Sequence, residues 1–275
     1  MIVSKMNGSI DKPIPELRGK LGSVKYPAFG EIKYDGEFTF IFYDNDGKNR
    51  KIASINKYNK IRTQYPALTS IKIAMHEDVK SAVMLAELFF ADGKRNRLYD
   101  LNSNKESDDL NLMIFDLIEL DEKDITQEPL IDRKEALHDI LSVSACIMSK
   151  GMKVVNDNKE AMDFFKWTVD EGYEGCVIKS MDSRLIAGPC SWVKMKMKDQ
   201  SDYAVSLIDP NQERIEVQVP SVGVNSHHLV TVGVKAATRY KRYIKIGDKV
   251  TIEHQGILDS GSLRHPVLIP KKEWL

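Results

Sequence analysis

The sequence predicts an α+β chain in two parts: residues 1–198 as a larger domain of antiparallel sheets with helices, and residues 199–275 as a small all-β domain. Three observations lead there. Alternating and apolar runs with a hairpin signal open the chain, two amphipathic helical stretches follow, and after a polar interruption only short β-like runs remain.

Residues 38–43, followed by Asp46-Gly47 and then residues 51–55, read as a hairpin, because an Asp-Gly step supplies the positive φ of a tight turn. Lys33 precedes the first arm, at a strand end or in the turn before the hairpin. Residues 83–89 and 110–120 read as largely buried strands. Residues 132–148 predict a helix with Ala136, Leu137, Ile140, Leu141 and Ile147 on one side. A second helix over residues 158–171 turns Ala161, Phe164, Phe165, Thr168 and Val169 inward. Gly172 ends it, and residues 175–179 form a strand. Lys198-Asp-Gln-Ser-Asp202 has no apolar residue and reads as a linker. Five short β-like runs follow, at residues 203–208, 214–219, 229–234, 249–254 and 267–269. That spacing suits a small Greek-key barrel such as an OB-fold.

A chain of 275 residues that is 42% hydrophobic can bury a sizeable core. No window approaches the roughly 18 apolar residues of a membrane span, and the start lacks a secretory apolar run. Cys146, Cys176 and Cys190 show no C-x-x-C spacing, so a reducing cytosol is expected, without disulfides or zinc. The 40 basic and 40 acidic residues cancel, which argues against a nucleic-acid binder, because phosphate neutralisation favours a basic face. The charge is nonetheless clustered: residues 108–128 are acid-rich, while residues 194–198 and 235–249 are basic. Local potential steers a polyanion better than net charge does.

Five short signals occur in order. Lys33 lies in Phe29-Gly-Glu31-Ile-Lys33-Tyr-Asp35-Gly36-Glu37, Glu87 in Met84-Leu-Ala-Glu87, and Phe115 in Leu112-Met-Ile-Phe115. Glu174-Gly-Cys-Val-Ile-Lys179 and Trp192-Val-Lys194-Met-Lys196 follow. Singly each has an ordinary structural reading; together they describe one chemical task. A nucleophilic lysine must be neutral to attack, and its amine titrates near 10.4 when free, a value that nearby cations or desolvation lower. Lys179, Lys194 and Lys196 would supply cations and neutralise charge on a phosphate. Glu87 and Glu174 suit a hard divalent cation. Phe115 offers a flat face on which a base stacks, a contact worth about 1–3 kcal/mol.

This ordered series resembles the motifs of the covalent nucleotidyltransferases, and in particular the smallest ATP-dependent DNA ligases. The resemblance covers nearly the whole chain. It implies a nucleotidyltransferase domain of ATP-grasp-like antiparallel sheets with helices, followed by an OB-fold. It further implies ATP and Mg²⁺ as cofactors, nicked duplex DNA as partner, and a monomer. Lys33 would be the adenylated nucleophile, and Glu31 would lie beside the adenine. Asp35 and Gly36 would shape the loop, and Phe115 would stack on the base. Glu87 and Glu174 would serve metal and ribose, while Lys179, Lys194 and Lys196 would hold phosphates. Gly247-Asp-Lys-Val-Thr-Ile-Glu-His-Gln-Gly256, with Arg264-His-Pro266 after it, resembles the last DNA-ligase motif. Arg264 would therefore orient the leaving pyrophosphate.

The chain departs from the family pattern at three places. Phe38 stands where an arginine is usual, Ser54-Ile55-Asn56 replaces a Ser-Arg pair, and Leu85-Ala86 precedes Glu87 in place of Asp-Gly. Lys57, Lys60 or Arg62 are candidate substitutes for the missing arginines. An RNA ligase, a guanylyltransferase and a non-catalytic nucleic-acid-binding protein are the alternatives.

Overall fold

The computed structural model describes residues 16–18, 21–59, 61, 75–90, 110–141, 152–185, 189–220, 228–258 and 260–275. Cys146, Ile147, Met148, Lys60 and Arg62 lie outside them. The chain divides into two compact units, Met1–Lys196 and Met197–Leu275.

In the first unit the strands are, in chain order, β1 (Glu16–Arg18), β2 (Ala28–Lys33), β3 (Glu37–Asn45), β4 (Arg50–Asn56) and β5 (Ser81–Phe90). They continue as β6 (Leu110–Leu120), β7 (Lys123–Asp124), β8 (Met152–Val155), β9 (Gly175–Ser180) and β10 (Pro189–Lys196). Among the described residues two helices accompany them, α1 (Leu130–Ile140) and α2 (Asn158–Asp170). One sheet has the order β1-β10-β9-β2-β8 and the other β4-β3-β5-β6-β7.

The hairpin forms at β3 and β4, where Gly47 takes φ +82° and Asp46 Oδ1 accepts from the amides of Lys48 at 2.9 Å and Asn49 at 2.6 Å. Phe29, Val177 and Trp192 of the first sheet pack with Phe40, Phe42, Val83, Leu85 and Ile118 of the second, so the two sheets share one core. The opposite face of the first sheet is covered by α2, through Ala161 and Phe164 against Ala28, Cys176, Ile178 and Val193. That contact is close: a Cβ at Gly30 would lie 2.7 Å from the Phe164 ring. Helix α2 starts where the Asp157 side chain accepts from the Glu160 amide at 2.8 Å, a cap for an otherwise unsatisfied N–H. It ends before Gly172, at φ +88°.

Helix α1 differs from expectation. It begins at Leu130 and stops at Ile140; Leu141 turns extended (φ −107°, ψ 129°) and bridges to Met75. Leu141 is apolar and buried, as a helical position would be, but its burial comes from a β-bridge. The inward stripe of α1 is Leu130, Arg133, Leu137 and Ile140, so a charge sits where sequence periodicity expects a hydrocarbon. Arg133 is wholly buried with Asp116 of β6, joined through Nε to Oδ1 at 2.9 Å and Nη2 to Oδ2 at 2.8 Å. Its remaining donors reach the carbonyls of Glu128 at 2.6 Å and Ser183 at 3.1 Å.

The second unit is a closed barrel of β11 (Asp199–Ile208), β12 (Arg214–Pro220), β13 (Leu229–Lys235), β14 (Lys249–His254) and β15 (Val267–Leu268), with a short α3 (Thr238–Lys241). The strand order is β11-β12-β13-β15-β14. Alternate residues turn inward, Tyr203 and Val205, Ile215, Val217 and Val219, Val232 and Val234, Val250 and Ile252. The polar stretch at residues 198–202, expected as a linker, is mostly strand: Asp199 to Asp202 pair with His254 to Thr251. Backbone pairing needs no apolar side chain, and here polar partners line the ladder. Lys198 reaches Glu253 at 2.6 Å and Asp202 accepts from Thr251 at 2.7 Å. No helix among the described residues is long and apolar enough to cross a membrane.

Arg133→Met should cost about 3–5 kcal/mol in urea unfolding, because it strands the Asp116 carboxylate. The double variant with Asp116→Leu should recover most of that loss. Equal losses in the single and double variants would show that the pair does not anchor α1.

Candidate active site

The register of three strands assembles the site. Across β2, β9 and β10, Phe29 pairs with Lys179 and Lys179 with Trp192. Glu31 pairs with Val177 and Val177 with Lys194, while Lys33 pairs with Gly175 and Gly175 with Lys196. Paired residues share a face and alternate residues along a strand return to it. Phe29, Glu31, Lys33, Lys179, Trp192, Lys194 and Lys196 therefore stand on one side of the sheet, the side that meets β3, β5 and β6.

Two carboxylates organise the lysines. Glu174 lies 2.5 Å from Lys33 Nζ through Oε2 and contacts Lys196 Nζ through Oε1. Glu31 contacts Lys179 Nζ through Oε2 at 2.5 Å and Lys134 Nζ through Oε1 at 2.5 Å. Burial alone would raise the pKa of Glu31, but Lys134 and Lys179 outweigh it and hold the carboxyl below its ordinary range. Lys179, buried at 3% exposure, is pushed down to about 8 by desolvation, with Glu31 opposing the shift and Lys134 adding to it. Lys196 is lowered too, by desolvation and by Lys33. Lys194 is exposed on the same face.

Lys179 also lies over two rings, 4.4 Å from the Phe115 centroid and 4.2 Å from that of Trp192, contacts that favour a cation. Trp192 is held by its indole N–H, which donates to Ser183 Oγ at 3.0 Å. Phe115 is half-buried beside Phe38 and Trp192, at centroid distances of 6.1 and 6.2 Å.

The loop after Lys33 docks on β5. A Cβ at Gly36 would meet the Leu88 carbonyl oxygen at 2.2 Å and Glu87 Cγ at 2.9 Å, so only glycine permits this approach. Gly175 is equally constrained, at φ +146° with the Met195 carbonyl 2.0 Å from a built Cβ. Glycine there lets Glu174 and Lys179 sit at the two ends of one strand turn and still face Lys33 and Glu31.

Glu87 is pushed up to about 7, chiefly by desolvation; Lys33 opposes this, while Glu174 and Asp35 act in the same direction as burial. Mutually repelling carboxylates are the donor chemistry a hard divalent cation relieves, so the chemistry of Glu87 and Glu174 suits such an ion. Glu174 is also engaged by Lys33 and Lys196, a role its sequence position did not suggest. Among the described residues no group of three or more His, Cys, Asp or Glu side chains is preassembled for a metal.

Arg264 belongs to the second unit. It is buried at 8% exposure, its carbonyl accepts from the Gln255 amide at 2.9 Å, and its own amide donates to Gly256 at 3.0 Å. Lys134 and Arg133 lie outside the five sequence signals, and Trp192 stands in the fifth without an assigned role. The one available signal was a basic pair, Arg133-Lys134, on and beside the inward stripe of an amphipathic helix.

A carboxylate whose folded pKa exceeds its unfolded one binds protons preferentially in the fold, so its ionisation lowers stability. Stability should therefore fall as pH rises from the ordinary 4.5 of Glu87 to about 7 and level off above it. Glu87→Gln should flatten that fall in thermal unfolding, and an unchanged slope would contradict the assignment.

Comparison with known proteins identifies the family. The ATP dependent DNA ligase domain family matches residues 12–196. The DNA ligase of Ignicoccus hospitalis is 28% identical over 211 residues, covering 71% of this chain and 34% of the relative. The probable DNA ligase of Dictyoglomus turgidum is 34% identical over 113 residues, covering 40% of this chain and 19% of the relative. The matched stretch thus spans at most about a third of these relatives' length. Among solved structures, one from a study of Lig E DNA ligases and DNA binding with a minimal scaffold superposes with a TM-score of 0.69 at 14% identity, covering 95% of this chain and 99% of that one. The ligase domain of LigD from M. tuberculosis superposes with a TM-score of 0.55 at 17% identity, covering 94% of each chain. At such identities the structural likeness speaks for the fold, and the family match rests on sequence over two-thirds of the chain. The chain belongs to the ATP-dependent DNA ligase domain family.

Proposed function

We propose that this protein seals 3′-OH/5′-phosphate nicks in duplex DNA at the expense of ATP, through an AMP adduct on Lys33. The observation that carries the reading is the single sheet face that bears Lys33, Lys196, Lys179 and Glu31, with Glu174, just before β9, between Lys33 and Lys196. Lys33 Nζ attacks the α-phosphorus, a P–N bond forms, and the bond to pyrophosphate breaks. Glu174 Oε2, 2.5 Å from Nζ, is the nearest base for the departing proton. Lys196, Lys179 and Lys194 neutralise phosphate charge as it develops. Phe115 stacks on the base, Glu31 borders it, and Asp35 and Gly36 fix the loop that carries Lys33. Glu87 and Glu174 would hold Mg²⁺, which supplies neutralisation of phosphate charge. AMP then passes to the nick 5′-phosphate and leaves when the 3′-hydroxyl attacks.

The larger unit would be the adenylation domain. The closed five-stranded barrel would be an OB-fold whose Arg264 orients pyrophosphate. A cytosolic monomer acting in DNA repair or replication completes the reading. Phe38 packs against Phe40 and Phe115, Ile55 is buried, and Asn56 donates to Glu37 at 2.7 Å. None of these can replace the family's arginines, so we assign nick-phosphate contact to other basic residues, with exposed Lys57 the nearest in sequence.

The test is sealing of nicked substrates. A labelled nicked DNA duplex should be joined, with efficiency falling as salt rises because phosphate contacts release counterions. Sealing of nicked RNA alone would make the protein an RNA ligase, and no sealing of either would favour a binding module.

A further inference from the structure

Lys134 has no place in the motif series, yet its side chain ties the two walls of the site together. It projects from α1 with only 13% of its side chain exposed. Its Nζ contacts Glu31 Oε1 on β2 at 2.5 Å and donates to the Phe115 carbonyl on β6 at 2.9 Å. Strand β2 belongs to one sheet and β6 to the other. The neighbouring residue, Arg133, is locked to Asp116, which follows Phe115 directly. Helix α1 therefore grips β6 at two successive residues and reaches across to β2 with the second grip.

Glu31 is shared. One oxygen meets Lys134 and the other Lys179, so the carboxylate is not committed to Lys179 alone. Without Lys134, Glu31 would keep Lys179 as its sole cationic partner among the described residues, and a buried carboxylate with one cation holds it more tightly. Lys179 would then be less available to a phosphate. The Phe115 backbone would also lose its link to β2.

We propose that Lys134 is a positioning residue for nucleotide binding: it fixes the Phe115 strand against Glu31 and keeps Lys179 from being monopolised by that carboxylate. The inference rests on the reading of Lys33 as the adenylated residue. It assigns Lys134 to binding of the nucleotide and leaves the transfer step to the other lysines.

The experiment follows AMP-adduct formation on the full chain against ATP concentration for wild type, Lys134→Met and Lys134→Arg, with urea unfolding alongside. Losing a hydrogen bond to a charged group should raise KM for ATP roughly tenfold or more in Lys134→Met. The maximal rate should change far less, and Lys134→Arg should restore most of the affinity. Lys134→Gln serves where Lys134→Met does not fold. An unchanged KM in whichever neutral variant folds would overturn the inference. Loss of folding in both would also overturn it, by assigning Lys134 to stability. A wild type that forms no adduct would overturn the parent reading and this inference with it. A normal wild-type adduct with unchanged variants would overturn this inference alone.

Discussion

The site depends on two carboxylates holding four lysines. Glu174 lies between Lys33 and Lys196, and Glu31 between Lys179 and Lys134. Four ammonium groups gathered in a partly buried space would repel one another and lose hydration, and an unpaired buried charge is expensive. One carboxylate for each pair lowers that cost without cancelling the charge. The face remains positive, which is what an incoming polyphosphate requires, and Lys194 at its exposed end adds to it. Desolvation and like charge together leave Lys179 and Lys196 more easily deprotonated than a free amine.

That arrangement is a consequence of sheet register. Because side chains alternate across a strand, the pairings of Lys33 with Gly175 and of Gly175 with Lys196 put all the working groups on one face. A slip of one residue on β9 would send Lys179 into the layer against α2, where Cys176 and Ile178 pack on Phe164. The register is held from that other side by the close approach of Gly30 to the Phe164 ring, and Gly175 holds it where β9 begins. Gly36 does the same for the loop, bringing Lys33 and Glu87 to the same place from different sheets.

Much of this was legible in the sequence. The hairpin, the strands carrying Glu87, Phe115 and Lys179, and the second helix follow from period and turn chemistry, which are local. What escaped was non-local. Glu174 looked like a cation ligand because a carboxylate at a strand end is one; its engagement with Lys33 depends on pairing between residues far apart in the chain. Arg133 was overlooked because a charge on an inward stripe is satisfied only by a partner, Asp116, on another element. Leu141 was read as helix because burial and apolarity do not distinguish a helical turn from a β-bridge. The stretch after Lys198 reads as a linker because it is polar, although backbone pairing is indifferent to polarity.

Every proposed role at the site depends on Lys33 being the residue that accepts AMP. The intact mass of the protein after incubation with ATP and Mg²⁺, measured beside Lys33→Ala, tests it most directly. The account requires the added mass of one AMP on the wild type and none on the variant. No adduct on a folded wild type, or an adduct that persists in Lys33→Ala, would contradict it.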